Sequence, residues 1–217
     1  MRNKFDREME ELSNDVKKMG AFIEEAISKS MQALKTNDKE LAKAVYQNDH
    51  VANDLELTIE RKSLRILLSE QPVAKDLRMI STALKMITDM ERICDQAADI
   101  AEIIISFKND KNYLPKPLYQ MAEKCVIMVN KSIDAFLAED MELSQAVIES
   151  DDEIDKLFEE VKADLVTEIV KDPKDSSQFI DYLIIAKYLE RIGDHAQNIA
   201  EWVIFSITGK HKDKRIL

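Results

Sequence analysis

The sequence contains few residues that interrupt helices: only 3 of its 217 residues are glycine and 4 are proline. Aromatic residues make up 6% of the chain, and a single tryptophan is among them. β-Sandwiches and barrels fit such a composition poorly, whereas long amphipathic helices rich in Ala, Leu, Ile, Glu and Lys fit it well. Because 45% of the residues are hydrophobic, the chain can build a core, and wholesale disorder is excluded.

Cysteine is also scarce. Cys94 and Cys125 are the only two, and they form neither a C-x-x-C pair nor a metal-ligand spacing, so we expect a reduced protein of the cytosol. The first 15 residues have no apolar segment, so we expect no signal peptide. The most apolar run, residues 100–107, is far shorter than the roughly 18 residues that a membrane span needs.

The chain also lacks an excess of positive charge, since its formal net charge is −11. An acidic surface repels nucleic acids and anionic lipids, so we expect no general nucleic-acid binding. Such a surface favours cations and basic partner proteins instead. The C-terminal segment GKHKDKRIL, residues 209–217, is a short basic exception. We expect it to be a solvated tail with His211 exposed.

Apolar residues recur every three or four positions along nearly the whole chain and predict six long helices. The predicted segments are roughly 5–34, 39–70, 73–107, 117–138, 140–171 and 176–208. Asn37 or Asp38 is placed to begin the second helix, and the proline-containing residues 108–117 form the predicted linker. We therefore predict an all-α protein of two tandem three-helix bundles, residues 1–108 and 115–217, related by a pseudo-twofold repeat.

The strongest pattern in the sequence is an internal repeat. Residues 90–102 read MERICDQAADIAE, and residues 189–202 read LERIGDHAQNIAEW. The pattern E-R-I-x-D-x-A-x-x-I-A-E thus returns after an interval of 99 residues. One acidic helix face could arise by chance, but a duplicated face needs a physical reason.

In both copies, acidic residues prolong an apolar helix face. The apolar stripe of the third helix runs through Ile87 into Glu91 and Asp95, and that of the sixth helix runs into Glu190 and Asp194. Antiparallel packing brings acids of the preceding helix beside each pair. The predicted site residues are Asp49, Asn53, Glu91, Asp95 and Asp99 in the first unit, and Asp151, Asp155, Glu190, Asp194 and Asn198 in the second.

Such clusters need compensating charge. An unpaired carboxylate taken out of water costs several kcal/mol, and neighbouring carboxylates repel one another, whereas a whole domain is stable by only about 5–15 kcal/mol. Hard oxygen ligands favour Mg²⁺, Mn²⁺, Fe or Ca²⁺, with zinc as a further candidate. Two alternatives stay open: a purely structural helical adaptor with hydrated acids, and a metal-dependent hydrolase. The sequence has no Glu-x-x-His pair, which argues against oxygen-activating di-iron chemistry.

The repeated motif, with the preceding SEQPVAKDLRMISTALK at residues 69–85, closely resembles PhoU, a family of bacterial phosphate-signalling regulators. The resemblance covers essentially the whole chain. It implies an all-α, cytoplasmic, frequently dimeric protein that is not an enzyme. It also implies a negative regulator of phosphate uptake and of the phosphate-starvation response, which contacts the ATPase subunit of the phosphate ABC transporter and a sensor histidine kinase at the inner face of the membrane.

The resemblance further implies bound metal, because E(D)-x-x-x-D motifs of this family hold metal clusters. The motif maps onto Glu91/Asp95, Glu190/Asp194 and Asp151/Asp155. Asp49 carries over, but Asn53 replaces the acid of a fourth pair, and Cys94 and Gln96 depart from the Gly-Asp-His of the second unit. We therefore expect the first site to hold fewer ions than the second, or to hold them less tightly.

Overall fold

The computed structural model describes residues 2–107, 114–171, 173–212 and 214–215, and helices account for nearly all of them. The helices are α1 (Arg2–Thr36), α2 (Lys39–Gln47), α3 (His50–Glu70), α4 (Ala74–Ser106), α5 (Lys116–Ala138), α6 (Met141–Lys171) and α7 (Ser176–Thr208), with a 3₁₀ turn at Pro173–Asp175. Two short strands, β1 (Lys210–His211) and β2 (Lys214–Arg215), pair in antiparallel fashion. The predicted all-α class with six long helices is confirmed, and the predicted second helix is divided into the short α2 and the long α3.

The predicted second helix is wrong in one respect, because it is interrupted at Asn48–Asp49. The backbone hydrogen bonds tighten to an i→i+3 pattern there: the Val51 N–H donates to the Asn48 carbonyl (3.0 Å), and the Ala52 N–H donates to the Asp49 carbonyl (2.9 Å). Asn48, Asp49 and His50 are three consecutive residues of low helix propensity. Their weak preference for helix lets α2 and α3 part at this point.

The predicted solvated tail is also wrong for the described part of residues 209–217. After α7, the chain turns at Gly209, whose φ of 76° suits glycine, and continues into β1. The His211 ring stacks on Trp202 with centroids 4.0 Å apart, and Lys212 forms an ion pair with Glu201 at 2.9 Å. Aromatic stacking and charge pairing therefore hold this segment against α7.

The two helices that carry the repeated motif, α4 and α7, lie antiparallel against each other. The Arg78 side chain donates to the Ser206 carbonyl at 3.0 Å, and further along α4, Asp89 bonds the His195 ring at 2.8 Å. Residues later in α4 therefore contact residues earlier in α7, as antiparallel helices do. Both helices bury most of their apolar side chains in one continuous core.

The first half of the chain also packs on the second through α1 and α5. Gly20 marks a close approach, because a Cβ atom there would lie 2.6 Å from Ile133 Cδ1. The predicted division into units 1–108 and 115–217 stays a prediction, and its boundary falls on residues 108–113, outside the described part. Within the described part, no helix combines the length and apolar character that a membrane crossing requires.

Candidate metal centres

The first group of predicted acids comes together where α3 begins beside α4. We call Asp49, Glu56, Glu91 and Asp95 the first cluster. Besides the effect of burial, Asp95 and Asp49 are both close enough to Glu91 to raise its pKa by repulsion, and Asp49 raises the pKa of Asp95 in the same way. Glu56, two helical turns after Asp49, is close enough to repel both Glu91 and Asp95. The predicted approach of the second and third helices is thus present in the structure.

The electrostatics of the first cluster are unfavourable when all its members are ionised. Burial, followed by repulsion from Asp95, Glu56 and Asp49, raises the pKa of Glu91 to about 7. The pKa values of Asp95 and Glu56 are also raised, in each case mainly by burial. At neutral pH the cluster is therefore held together against its own charge, which is the situation that a bound cation relieves.

Asp49 has the least satisfied carboxylate of this group. Its Oδ1 atom is fully buried and has no hydrogen-bond partner. Burial, followed by the charges of Asp49 and Asp95, raises the pKa of the nearby Cys94 thiol to about 12. A buried oxygen without a partner costs about 1–3 kcal/mol, so this atom is available to a ligand that can accept its lone pairs.

The second cluster consists of Asp151 and Asp155 on α6 and of Glu190 and Asp194 on α7. Burial, then repulsion from Asp194, Asp155 and Glu190, raises the pKa of Asp151 to about 6. The pKa of Asp194 is raised for the same kinds of reason, with burial first. The structure thus brings together all four acids that the sequence assigns to this site.

The two clusters differ in how much positive charge lies near their carboxylates. In the second cluster, Lys187 forms an ion pair with Glu190 at 2.5 Å and also lies over the Phe158 ring, 5.6 Å from its centroid. In the first half, Thr88 stands at the position equivalent to Lys187, at the 99-residue interval, and Glu56 stands at the position equivalent to Phe158, at the 102-residue interval. The first cluster therefore gains a carboxylate and lacks a lysine.

Three other predicted site residues point away from these clusters or lie at their edges. Asn198 directs its side-chain amide to Asp89 at 3.5 Å, and Asp99 lies beside Tyr188, whose pKa is raised by burial and then by Asp99. These two contacts occupy equivalent places in the repeat and join α4 to α7. Asn53 is exposed on α3. A ligand role for the three residues stays a prediction.

Two residues at the first cluster, Glu56 and Cys94, were not predicted as part of the functional region. Glu56 follows Asp49 by seven residues, two turns along the same face, so an extended i, i+7 search would have found it. The approach of Cys94 to Asp49 had no comparable signal, because it depends on the distance between two helices. The Asp89–His195 bond likewise depends on how the two halves pack.

The donor atoms present fit a hard cation. Both clusters show the repulsion that such an ion would relieve, and the first also has the unpartnered Asp49 Oδ1. In the part of the chain that the structure describes, however, no group of three or more His, Cys, Asp or Glu side chains is already arranged to hold a metal ion. Side-chain rotation would have to accompany binding. Metal binding at both clusters therefore stays a hypothesis.

Comparison with known proteins places this arrangement in a family. The PhoU domain model matches residues 16–104 and again residues 118–203, so it covers most of both halves. The chain belongs to the PhoU family. One relative, from Clostridium acetobutylicum, is 34% identical over 211 residues, which are 96% of each chain. Another, from Zymomonas mobilis, is 36% identical over 97% of this chain and 90% of its own. Both are named homologues of the phosphate-specific transport system accessory protein PhoU.

Solved PhoU structures share the fold. The crystal structure of PhoU from Pseudomonas aeruginosa superimposes with a TM-score of 0.85 at 31% identity, covering 95% of this chain and all of that one. The phosphate transport system regulatory protein PhoU from Streptococcus pneumoniae gives a TM-score of 0.88 at 28% identity, covering 95% and 98% of the two chains. The whole helical arrangement is thus typical of PhoU proteins.

Proposed function

We propose that this chain is a metal-binding negative regulator of phosphate uptake and phosphate-starvation signalling, acting between the phosphate ABC transporter and its sensor histidine kinase. The observation that carries the proposal is the match of both halves to the PhoU domain. The names of the relatives, accessory proteins of the phosphate-specific transport system, support it. The acidic surface, with a net charge of −11, suits docking to basic partner surfaces.

The metal-binding part of the proposal rests on the two clusters. Asp49, Glu91 and Asp95 would hold one site, and the four acids of the second cluster would hold the other. A bound divalent or trivalent cation (Mg, Mn, Fe or Zn) would neutralise the carboxylates and tie adjacent helices together. The positions of these residues along their helices place the carboxylates on facing helix surfaces, close to one another. We also propose a homodimer that is cytoplasmic and reaches the membrane only through its partners.

The test is a pull-down of the transporter ATPase subunit and of the sensor kinase, performed with and without chelator. We expect both partners to be captured by the metal-loaded protein and capture to weaken after chelation. Asp151→Asn with Asp194→Asn should have the effect of chelator. The control, Glu153→Gln with Glu159→Gln, removes the same charge from exposed ion pairs on α6 and should bind like the wild type.

Three other results would contradict parts of the proposal. Absence of metal after purification, with capture intact, would favour a structural adaptor with hydrated acids. Phosphatase or ATPase turnover that disappears in the Asp151/Asp194 variant would favour a metal-dependent hydrolase. Failure of both partners to bind under every condition would contradict the regulatory role itself.

A further inference from the structure

Five aliphatic side chains lie exposed near the turn that connects α6 to α7. They are Val166, Val170, Ile180, Leu183 and Ile184, and their exposed fractions range from 36% to 76%. The first two lie in the last turns of α6 and the other three in the first turns of α7, on either side of the 3₁₀ turn Pro173–Asp175. Because α6 and α7 are neighbours in the fold, the five side chains form one patch, which we call the α6–α7 surface. A single exposed aliphatic needs no explanation, but a group of five indicates an interaction site.

The first half of the chain shows that the fold does not require these side chains. At the 99-residue interval, Ile180 corresponds to Ser81 and Ile184 to Lys85, which occupy the equivalent places on α4. Lys85 lies over the Trp202 ring, 5.7 Å from its centroid. A polar and a charged residue are thus compatible with helix packing at these two positions, so packing alone does not explain the two isoleucines.

Acidic groups border the α6–α7 surface. Asp181 follows Ile180 directly, and in the part of the chain that the structure describes it forms no ion pair; burial raises its pKa. Glu159 precedes Val166 by seven residues, so it lies on the same face of α6. Its partner is Lys162, in an exposed pair of a kind that contributes little to stability. The surface therefore combines apolar contact area with carboxylates that a further cation can pair with.

The second cluster continues this surface away from the turn. Leu183 and Glu190 are seven residues apart on α7, and Asp155 and Val166 are eleven apart on α6, so each pair shares a helix face. Lys187, between Leu183 and Glu190, is already paired with Glu190 at 2.5 Å. A ligand that lies along α6 and α7 therefore meets aliphatic side chains near the turn and carboxylates beyond it.

The chain's own C-terminal segment shows which kind of group binds to such a surface. At the other end of α7, Lys212 pairs with Glu201 at 2.9 Å, and the His211 ring stacks on Trp202 with centroids 4.0 Å apart. A basic segment thus lies on a part of α7 that is both acidic and apolar. The α6–α7 surface offers the same two kinds of group at the opposite end of the helix.

We propose that the α6–α7 surface is a docking site for a basic amphipathic helix of another protein. The apolar face of that helix covers Val166, Ile180 and Ile184, and its lysine or arginine side chains pair with Asp181 and Glu159. Such a helix binds through anchor residues spaced three, four and seven apart, and complementary charge sets its orientation and speeds its association. The inference rests on the proposed regulatory role only in that a regulator contacts other proteins, and it adds the place and the chemistry of one contact.

The test is fluorescence anisotropy of a labelled model peptide titrated with the full chain. The peptide, of about 18 leucine and lysine residues, places leucine on one face of a helix and lysine on the other. A second peptide carries glutamate in place of lysine. We expect the wild type to bind the basic peptide and to bind the acidic one at least about tenfold more weakly, because like charges then face each other. Added salt should weaken binding of the basic peptide.

Variants of the surface locate the binding site. Ile180→Ser with Ile184→Lys gives α7 the residues that the first half has at these positions, and it should weaken binding of the basic peptide at least about tenfold. Asp181→Asn should weaken binding about threefold and reduce its dependence on salt. Circular dichroism should show the same helix content in the variants and the wild type, so that loss of binding is separated from loss of the fold.

The matched control is Leu64→Ser with Leu68→Lys. These two leucines of α3 are exposed and stand at the positions equivalent to Val166 and Val170. They lie beside Arg61 and Arg65, whose charges repel a basic helix, so the control should bind the peptide like the wild type.

Several outcomes would overturn the docking site. They include an Ile180/Ile184 variant that binds as tightly as the wild type, a control variant that binds equally weakly, and equal affinity for the two peptides. A dimer in sedimentation that disappears with Ile180→Ser and Ile184→Lys, together with no peptide binding, would assign the surface to a second copy of the chain instead.

The outcomes also distinguish this inference from the function on which it rests. Capture of the transporter ATPase subunit and the sensor kinase by a protein that does not bind the basic peptide overturns the inference alone. Peptide binding at the α6–α7 surface without capture of either protein supports the inference and contradicts the proposed regulatory role.

Discussion

At the scale of single residues, two carboxylates of this protein, Asp15 and Glu91, have opposite environments. Asp15 accepts hydrogen bonds from Lys62 and Lys18. Burial pushes the pKa of Asp15 upward, but the two lysine hydrogen bonds outweigh it, and the pKa lies below the usual value. Glu91 has acids around it, and its pKa lies far above the usual value. The first arrangement stabilises the ionised acid, and the second opposes it.

Asp15→Asn should destabilise the protein by about 1–2 kcal/mol at pH 7, because it removes a charged acceptor from two lysines. A folded-state pKa below the unfolded value contributes stability above the unfolded pKa, and this contribution is lost as the pH falls through the folded pKa. Urea unfolding should therefore show the difference between variant and wild type at pH 5 to 7, and this difference should shrink as the pH falls below the ordinary aspartate pKa.

The control for this prediction is Glu40→Gln, which breaks the exposed Lys43–Glu40 pair. We expect its effect to stay within about 0.5 kcal/mol. If Asp15→Asn had an equally small effect at pH 7, the Asp15–Lys62 contact would not stabilise the fold.

Glu91 and Asp151 give a pH dependence of the opposite sign in metal-free protein. A carboxyl group whose pKa rises on folding, here from 4.5 to about 7 for Glu91, takes up a proton more readily when folded. Its ionisation therefore destabilises the fold fully above the folded pKa, and this cost disappears as the pH falls to the unfolded pKa. In the presence of chelator, we expect Tm to rise by a few degrees between pH 8 and pH 5.5, since about 1 kcal/mol corresponds to 2–4 °C in a chain of this size.

The matched variant carries Glu91→Gln and Asp151→Asn. It should be more stable than the metal-free wild type at pH 8 and should lose most of the rise on acidification. Identical pH profiles for the two proteins in differential scanning calorimetry would show that these carboxyl groups do not oppose folding.

At the scale of helices, α1 and α5 pack closely where Gly20 meets the end of the Ile133 side chain. Gly20→Val would place a β-branched group where even a Cβ atom lies 2.6 Å from Ile133 Cδ1, so we expect a loss of about 1–3 kcal/mol from overpacking. Ile133→Ala alone should cost about 2–5 kcal/mol, because it leaves a cavity. In the double variant, the valine at position 20 fills part of the cavity left at position 133, and the shorter alanine removes the steric clash.

A double-mutant cycle by urea unfolding checks this prediction. The double variant should be more stable than the sum of the single effects predicts by about 1 kcal/mol or more. Strict additivity would mean that the two helices do not meet at this point.

The break between α2 and α3 is a second feature at this scale. It places Asp49 at the start of α3, whereas the equivalent Asp151 lies inside the uninterrupted α6. The equivalent carboxylates of the two halves therefore differ in position, since one is at a helix start and the other is inside a helix. This difference adds to those made by Cys94 and Glu56, and it supports distinct properties for the two clusters.

At the scale of the whole molecule, α4 and α7 join the halves along most of their length. Because the seam includes Arg78–Ser206 and Asp89–His195 contacts as well as apolar packing, we expect the chain to unfold in one cooperative transition. Fluorescence of Trp202, the only tryptophan, reports on α7 near the seam, and circular dichroism reports on all helices. The two denaturation curves should coincide.

Asp89→Ala tests the seam directly. It removes the partner of the His195 ring and of the Asn198 amide and should lower the denaturation midpoint without splitting the transition. A tryptophan transition that precedes the loss of helix in the wild type would show that the halves unfold separately.

The sequence by itself determined the class of the fold, because helical periodicity, scarce glycine and proline, and the 99-residue repeat all depend on local chemistry and on comparison within the chain. It also located the acidic motif of each half, since residues four apart share a helix face wherever the helix lies. Three consecutive weak helix formers favour a break at Asn48. They do not predict it reliably, because burial of neighbouring apolar residues can override such preferences.

Only the tertiary structure decided which acids meet. The addition of Glu56 to the first cluster and the positions of Asp99 and Asn198 at the α4–α7 seam depend on the separation and rotation of helices that are far apart in sequence. Helical periodicity assigns a residue to a face of its own helix, but it does not determine which helix packs against that face or how closely. That distance controls the repulsion between carboxylates, and therefore the pKa values on which the proposed metal chemistry rests.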